Sequence, residues 1–199
     1  MNVSRALILS LALPVGLAAQ TPAAPPAGPP VNPITLSFRT RTLALQRNLA
    51  QAFDSIPESK FSYKPTPKQL TIGYIAQHLA NDNYFFCSTF GSMQPTRPPA
   101  DTSTPDSVKA GWPKETLNAK LKESFKFCED AFAQLTDANL GDIVTITPPG
   151  GAARQVPRAA MVLGHALDVA DHYSQIANYM RLNNMIPPTA LPRPPRTGQ

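Results

Sequence analysis

Proline placement constrains this chain more than any other feature. Its 23 prolines leave four long proline-free runs, at 34–56, 68–94, 114–147 and 158–186. Proline has no N–H to donate and its ring clashes with the preceding turn, so it is excluded from helix interiors. Each run is long enough for one long helix. Mostly apolar side chains recur at helical spacing within them: Phe38, Thr42, Leu45, Leu49, Ala52 and Ile56 in the first; Ile72, Ile75, Leu79, Phe86 and Phe90 in the second; Leu117, Leu121, Phe125, Cys128, Phe132 and Leu135 in the third. The expected helices are about Thr35–Ser55, Lys68–Phe90, Lys114–Leu135 and Arg158–Asn184. Lys120, Lys122, Glu123 and Lys126 are expected to face outward from the third. The expected fold is therefore all-α, a four-helix bundle with one long inter-helix loop, Gly91–Pro113. A loop of that length in a compact domain is either mobile or functional. Asp142–Thr147, DIVTIT, is the only strand-like run. A lone short strand supports no sheet, so it reads as an extended connection.

The ends lie outside the bundle, which spans 34–188. Residues 1–20 read as a secretory signal peptide, with Arg5 as the charged start, Ala6–Leu17 as the apolar segment and Ala18–Ala19 near the cleavage site. Residues 21–33 are a Pro/Ala-rich linker, and residues 189–199 a Pro-rich tail expected to be extended and exposed. The expected location is periplasmic or secreted, with no stable membrane insertion after signal cleavage. The 18 basic and 13 acidic side chains give a net charge of +5, and loss of Arg5 leaves +4. The basic residues are scattered and not interleaved with aromatics, which argues against nucleic-acid binding. In an oxidising compartment Cys87 and Cys128 form an even pair, so a disulfide stapling helices two and three is expected.

The fourth run carries the chemistry. His165, Asp168, His172 and Gln175 recur at steps of three and four and share one helical face, which Met161 and Tyr179 extend as apolar ends. Helix two offers His78 near its middle, with Asp82 one turn later. Metal sites in bundles are built from inward-facing His and carboxylates on different helices. His78, Asp168 and His172 would supply two imidazoles and one carboxylate, a set suited to zinc, nickel, iron or manganese. Asp82 and Asp171 are placed to orient a ligating imidazole. The other reading of the same spacing is a hydrogen-bonded cluster at the core boundary. The chain has no G-x-S-x-G, no glycine-rich phosphate loop and no C-x-x-C.

The runs His78-LANDNYFFCS and Asp171-HYSQIANYMRLNNMIPP resemble the DinB-like (DinB/YfiT) superfamily. The resemblance implies a four-helix bundle in which a His on helix two and a His-x-x-x-His pair on helix four hold a divalent metal. His78 matches the first ligand. His172-Tyr-Ser-Gln175 matches the segment at the second His of the pair, and Tyr179-Met-Arg181 with Pro187–Pro188 matches the ending. Asp168 stands where the pair has its first His, and Ser174 where the family has Gly. The family implies a metal-dependent hydrolase or thiol transferase acting on a small molecule. The Asp168 departure leaves a second expectation, a non-catalytic binding or scaffold bundle whose metal site has degenerated. An exposed bundle face would allow a homodimer.

Overall fold

The computed structural model describes residues 31–148 and 150–192. The expected signal peptide, most of the linker and the end of the tail lie outside them. Four long helices form the body: α1 (Pro33–Ser55), α2 (Ile72–Gly91), α5 (Lys114–Phe132) and α6 (Arg158–Leu182). Two short helices, α3 (Pro99–Ser103) and α4 (Asp106–Lys109), lie in the α2–α5 connection. No helix among the described residues is long and apolar enough to cross a membrane.

Contacts fix the directions of the helices. Asn83 meets Ser124, Cys87 meets Cys128 and Gly91 meets Ala131, so α2 and α5 run parallel. Arg158 reaches the Phe90 carbonyl and His172 faces His78, so α6 runs antiparallel to α2. Parallel neighbours need a return connection along their whole length, roughly 30 Å for a 20-residue helix. That is why the α2–α5 loop is long. It is also pinned to the bundle. Lys120 pairs with Asp101, Arg97 Nε donates to Asp101 Oδ2 at 2.7 Å, and Lys109 Nζ lies 2.9 Å from Asp106 Oδ1. Lys120, expected on the outer face of helix three, is therefore buried under this loop (8% exposed). Its ammonium is tolerated there because Asp101 neutralises it and Asn81 Oδ1 accepts a bond from it at 3.2 Å. At the loop's far end Gly73 packs against backbone: a Cβ there would sit 2.3 Å from the Ala110 carbonyl oxygen.

Local capping moves the helix ends. Pro33 opens α1, two residues before the expected start, because proline's missing N–H costs nothing in a first turn. The first turn of α1 has no acidic residue of its own. Its amides are instead met by Asp137, which accepts from Ile34 N at 3.0 Å and Thr35 N at 2.8 Å. α2 begins at Ile72 rather than Lys68, since Thr71 Oγ1 accepts from Tyr74 N at 3.1 Å and sets the cap there. α5 ends three residues earlier than expected and α6 two.

The extended run after α5 does find a partner. β1 (Ile143–Ile146) pairs antiparallel with β2 (Arg154–Pro157), Ile143 opposite Pro157 and Ile146 opposite Arg154. The reading of this run as an unpaired connection is corrected. RQVP carries little strand signal and pairs only because the loop turns the chain back on β1. The tail is also partly docked: Pro188–Ala190 forms one 3-10 turn, and Thr189 N donates to Tyr173 Oη at 3.0 Å.

Two apolar clusters fill the bundle. One gathers Leu49, Phe53, Ile75, Leu79, Leu121 and Ile176, capped by Phe61 from the α1–α2 loop, with Tyr63 and Trp112 against it. The other surrounds Cys87 and Cys128 with Phe90, Phe132, Leu140 and Met161. The expected disulfide joins the two cysteines, with Cα atoms 5.1 Å apart.

Candidate metal centre

α2 and α6 cross with their polar stripes facing each other. His78 and Asp82 are one turn apart on α2, and Asp168 and His172 one turn apart on α6, so each helix presents an imidazole and a carboxylate. One ligand atom from each of the four lies within 4.8 Å of every other. The imidazoles meet edge to face with centroids 5.0 Å apart. His78 Nε2 is 3.1 Å from Asp82 Oδ2, and His172 Nε2 is 3.4 Å from Asp168 Oδ1. His172 Nδ1 and Asp168 Oδ2 are buried without a hydrogen-bond partner. His78, Asp168 and His172, the sequence candidates, are thus brought together. Asp82, read from sequence as an orienting residue, has its carboxylate in the cluster itself. The signal for it was its i+4 spacing from His78. Asp171, the other orienting candidate, accepts from Gln175 at 2.6 Å at the exposed edge of α6.

The cluster's electrostatics are unbalanced. Burial, and then the charge of Asp168, push the Asp82 carboxyl up to about 7. Burial and the neighbouring His172 pull His78 below its ordinary value. Burial also pulls on His172, but the hydrogen bond and charge of Asp168, with Asp171 and Asp82 behind, leave it raised. Two carboxylates share a half-buried site with no Lys or Arg in the cluster, which is an arrangement that a divalent cation relieves. The donor set of imidazole nitrogen and carboxylate oxygen fits such an ion, as do the unbonded atoms of His172 and Asp168.

The cluster opens into a cleft of about 670 Å³, where His78, Asp82 and Asp168 are at the surface. Phe85, Phe86 and Met161 line one side and the β-hairpin another, through Ile146, Arg154 and Val156. Asp106 brings the pinned α2–α5 loop to the rim, held by Asn81 of α2, whose Nδ2 donates to Asp106 Oδ1 at 3.0 Å. Gly164 leaves room for the Phe86 ring, since a Cβ there would lie 2.9 Å from Phe86 Cε1.

His165 does not join this site. It is fully buried one turn before Asp168 and two before His172, with Nε2 3.7 Å from Cys87 Sγ, 3.6 Å from Cys128 Sγ and 2.8 Å from Asn83 Oδ1. It packs the disulfide and not the cluster.

A sequence profile of the DinB superfamily matches residues 41–176, which contain all four cluster residues. The chain belongs to the DinB superfamily. Solved structures share its fold. A DinB-like protein from Bacillus cereus ATCC 10987 aligns with TM-score 0.56 at 17% identity, over 77% of this chain and 93% of that one. A conserved protein from Enterococcus faecalis aligns with TM-score 0.57 at 14% identity, over 75% and 96%. The H52A mutant of a mycothiol-dependent maleylpyruvate isomerase aligns with TM-score 0.55 at 12% identity, over 71% of this chain and 60% of that one. No curated protein matches the chain. At these identities the structural likeness bears on the fold of this DinB-superfamily member alone.

Proposed function

We propose that this DinB-superfamily protein is exported and binds one divalent metal at His78, Asp82, Asp168 and His172, where it acts on a small molecule as a hydrolase or transferase. The observation that carries the reading is the convergence of four ligand-type side chains from two helices at the base of a cleft. In such a site a divalent cation supplies Lewis acidity that activates a nearby oxygen or sulfur nucleophile. His78 and His172 offer imidazole nitrogens, and Asp168 replaces with a carboxylate the imidazole that the family pattern has there. Without the ion the Asp82 carboxyl, 3.1 Å from His78 Nε2, is raised to about 7; as a ligand it must be deprotonated, so ion binding competes with that proton near neutral pH. Phe85 and Phe86 give the cleft an apolar flank beside the cluster. One of the structural neighbours is a mycothiol-dependent enzyme, which supports a thiol among the candidate nucleophiles. The signal-peptide reading supports export.

A second reading has its own observation. The His78–Asp82 and His172–Asp168 contacts pair the cluster off internally, as a non-catalytic polar core would. Metal analysis separates the two. After reconstitution with zinc and removal of excess ion, the first reading requires about one equivalent per chain, falling sharply in His172→Ala. Content well below one equivalent in the parent protein sinks it and leaves the scaffold.

A further inference from the structure

The cleft in front of the cluster is chemically two-sided. Its base is acidic, from Asp82 and Asp168. Asp106 also reaches it, but Lys109 and Asn81 already engage that carboxylate. Its walls are apolar, from Phe85 and Phe86 on α2, Met161 on α6, and Ile146 and Val156 on the hairpin. Among the described residues one Lys or Arg side chain lines it, that of Arg154. Two neighbouring arginines are committed: Arg97 of the α2–α5 loop to Asp101, and Arg158 at the start of α6 to Asp142 and the Phe90 carbonyl. Arg154 has no carboxylate within ion-pair distance among the described residues. It opens β2, opposite Ile146 in the strand register. The hairpin therefore holds a free guanidinium and two apolar side chains against the same cavity.

A guanidinium is a planar fork of donors that fits a carboxylate with two parallel bonds. Flanking apolar walls reward a ligand whose remaining surface is hydrocarbon. We propose that the cleft takes a small organic acid, with its carboxylate on Arg154 and an apolar or aromatic body between Phe86, Met161 and Val156. The far end of the molecule then faces His78, Asp82 and Asp168. The inference rests on the metal-centre reading only for what happens at that end; recognition itself needs Arg154 and the walls. In this arrangement Arg154 determines specificity and is not a catalytic residue.

Calorimetric titration of the full chain, zinc-reconstituted and zinc-free, with benzoate, benzamide and inorganic phosphate tests it. Benzoate should bind about tenfold more tightly than its neutral isostere benzamide and more tightly than phosphate. Arg154→Gln should weaken benzoate about tenfold and leave benzamide unchanged, while Arg154→Lys, a point charge without the fork, should fall between. Arg154 is exposed, so these changes leave the fold intact. Equal binding of benzoate and benzamide, no benzoate binding, or an Arg154→Gln protein that binds benzoate as the parent does would each overturn the proposal. Phosphate binding as tightly as benzoate would overturn the apolar half of it. Arg154-dependent benzoate binding by a protein that takes up no zinc keeps this inference and removes the metal centre. Stoichiometric zinc with no Arg154 dependence does the reverse.

Discussion

His165 makes the protein acid-sensitive in a defined window. Asn83 Nδ2 donates to Ser124 Oγ at 2.9 Å, and Ser124 Oγ in turn donates to the Leu121 carbonyl at 2.7 Å. Asn83 Oδ1 is thereby left as an acceptor, and His165 Nε2–H donates to it at 2.8 Å. Nδ1 then carries the lone pair, buried and without a partner. A second proton would have to sit there, among the rings of Phe86, Phe90 and Phe132 at 5.9, 5.8 and 5.8 Å. Burial accordingly depresses the His165 pKa from 6.5 to about 4, with Asp168 offsetting a little of the shift. Since the folded value lies below the unfolded one, the folded state binds fewer protons between them. The stabilisation is complete above pH 6.5, is lost as pH falls towards 4, and changes no further below that. A shift of this size corresponds to roughly 3 kcal/mol. The assay is urea denaturation between pH 7.5 and 4 without reductant, comparing the parent with His165→Gln. Gln can still donate to Asn83 but does not titrate. The variant will be less stable throughout, because it underfills the site. The parent should nevertheless lose roughly 3 kcal/mol more than the variant across the window. Taking the difference removes the other groups that titrate in this window, above all Asp82, whose carboxyl is raised to about 7 and acts in the opposite sense, with His78 and His172. Parallel pH profiles for the two proteins would refute the reasoning.

Three further outcomes are expected. Cleaving the Cys87–Cys128 bond, which closes a separation of 41 residues, should cost about 4 kcal/mol in the chain-entropy treatment; an unchanged urea midpoint in Cys87→Ala/Cys128→Ala would contradict it. Lys120→Met should destabilise by up to about 3 kcal/mol, moderated because Arg97 still neutralises Asp101. A double-mutant cycle with Asp101→Asn should show coupling of about 1 kcal/mol, and strict additivity would mean that the pair does not hold the loop. Gly164→Ala should press on Phe86 and narrow the cleft, lowering benzoate affinity while zinc stoichiometry holds; unchanged benzoate binding would show that Phe86 does not shape the cavity.

Reading order along the chain explains which parts of the fold were legible. The four helices follow from a local rule, the exclusion of proline, and from apolar spacing within each run. His78 and His172 stood out because histidine is rare here and each sits at a helical step from a carboxylate. Several misread positions depend on a partner outside their own segment. Lys120 looks like any surface lysine until the α2–α5 loop brings Asp101 over it. The start of α1 is capped by Asp137, about a hundred residues away. RQVP becomes a strand only opposite IVTI.

The candidate site divides in the same way. Periodicity on one helix put Asp168 and His172 on one face, and on another put His78 beside Asp82, because a 3.6-residue repeat is a property of each helix alone. Which faces meet is set by side-chain packing between helices, and periodicity carries no record of it. The crossing of α2 and α6 moved Asp82 from orienting residue to member of the cluster. The same crossing turned His165, on the same stripe as Asp168, towards the disulfide. The hairpin, whose pairing spans the loop between its strands, brought Arg154 to the cleft.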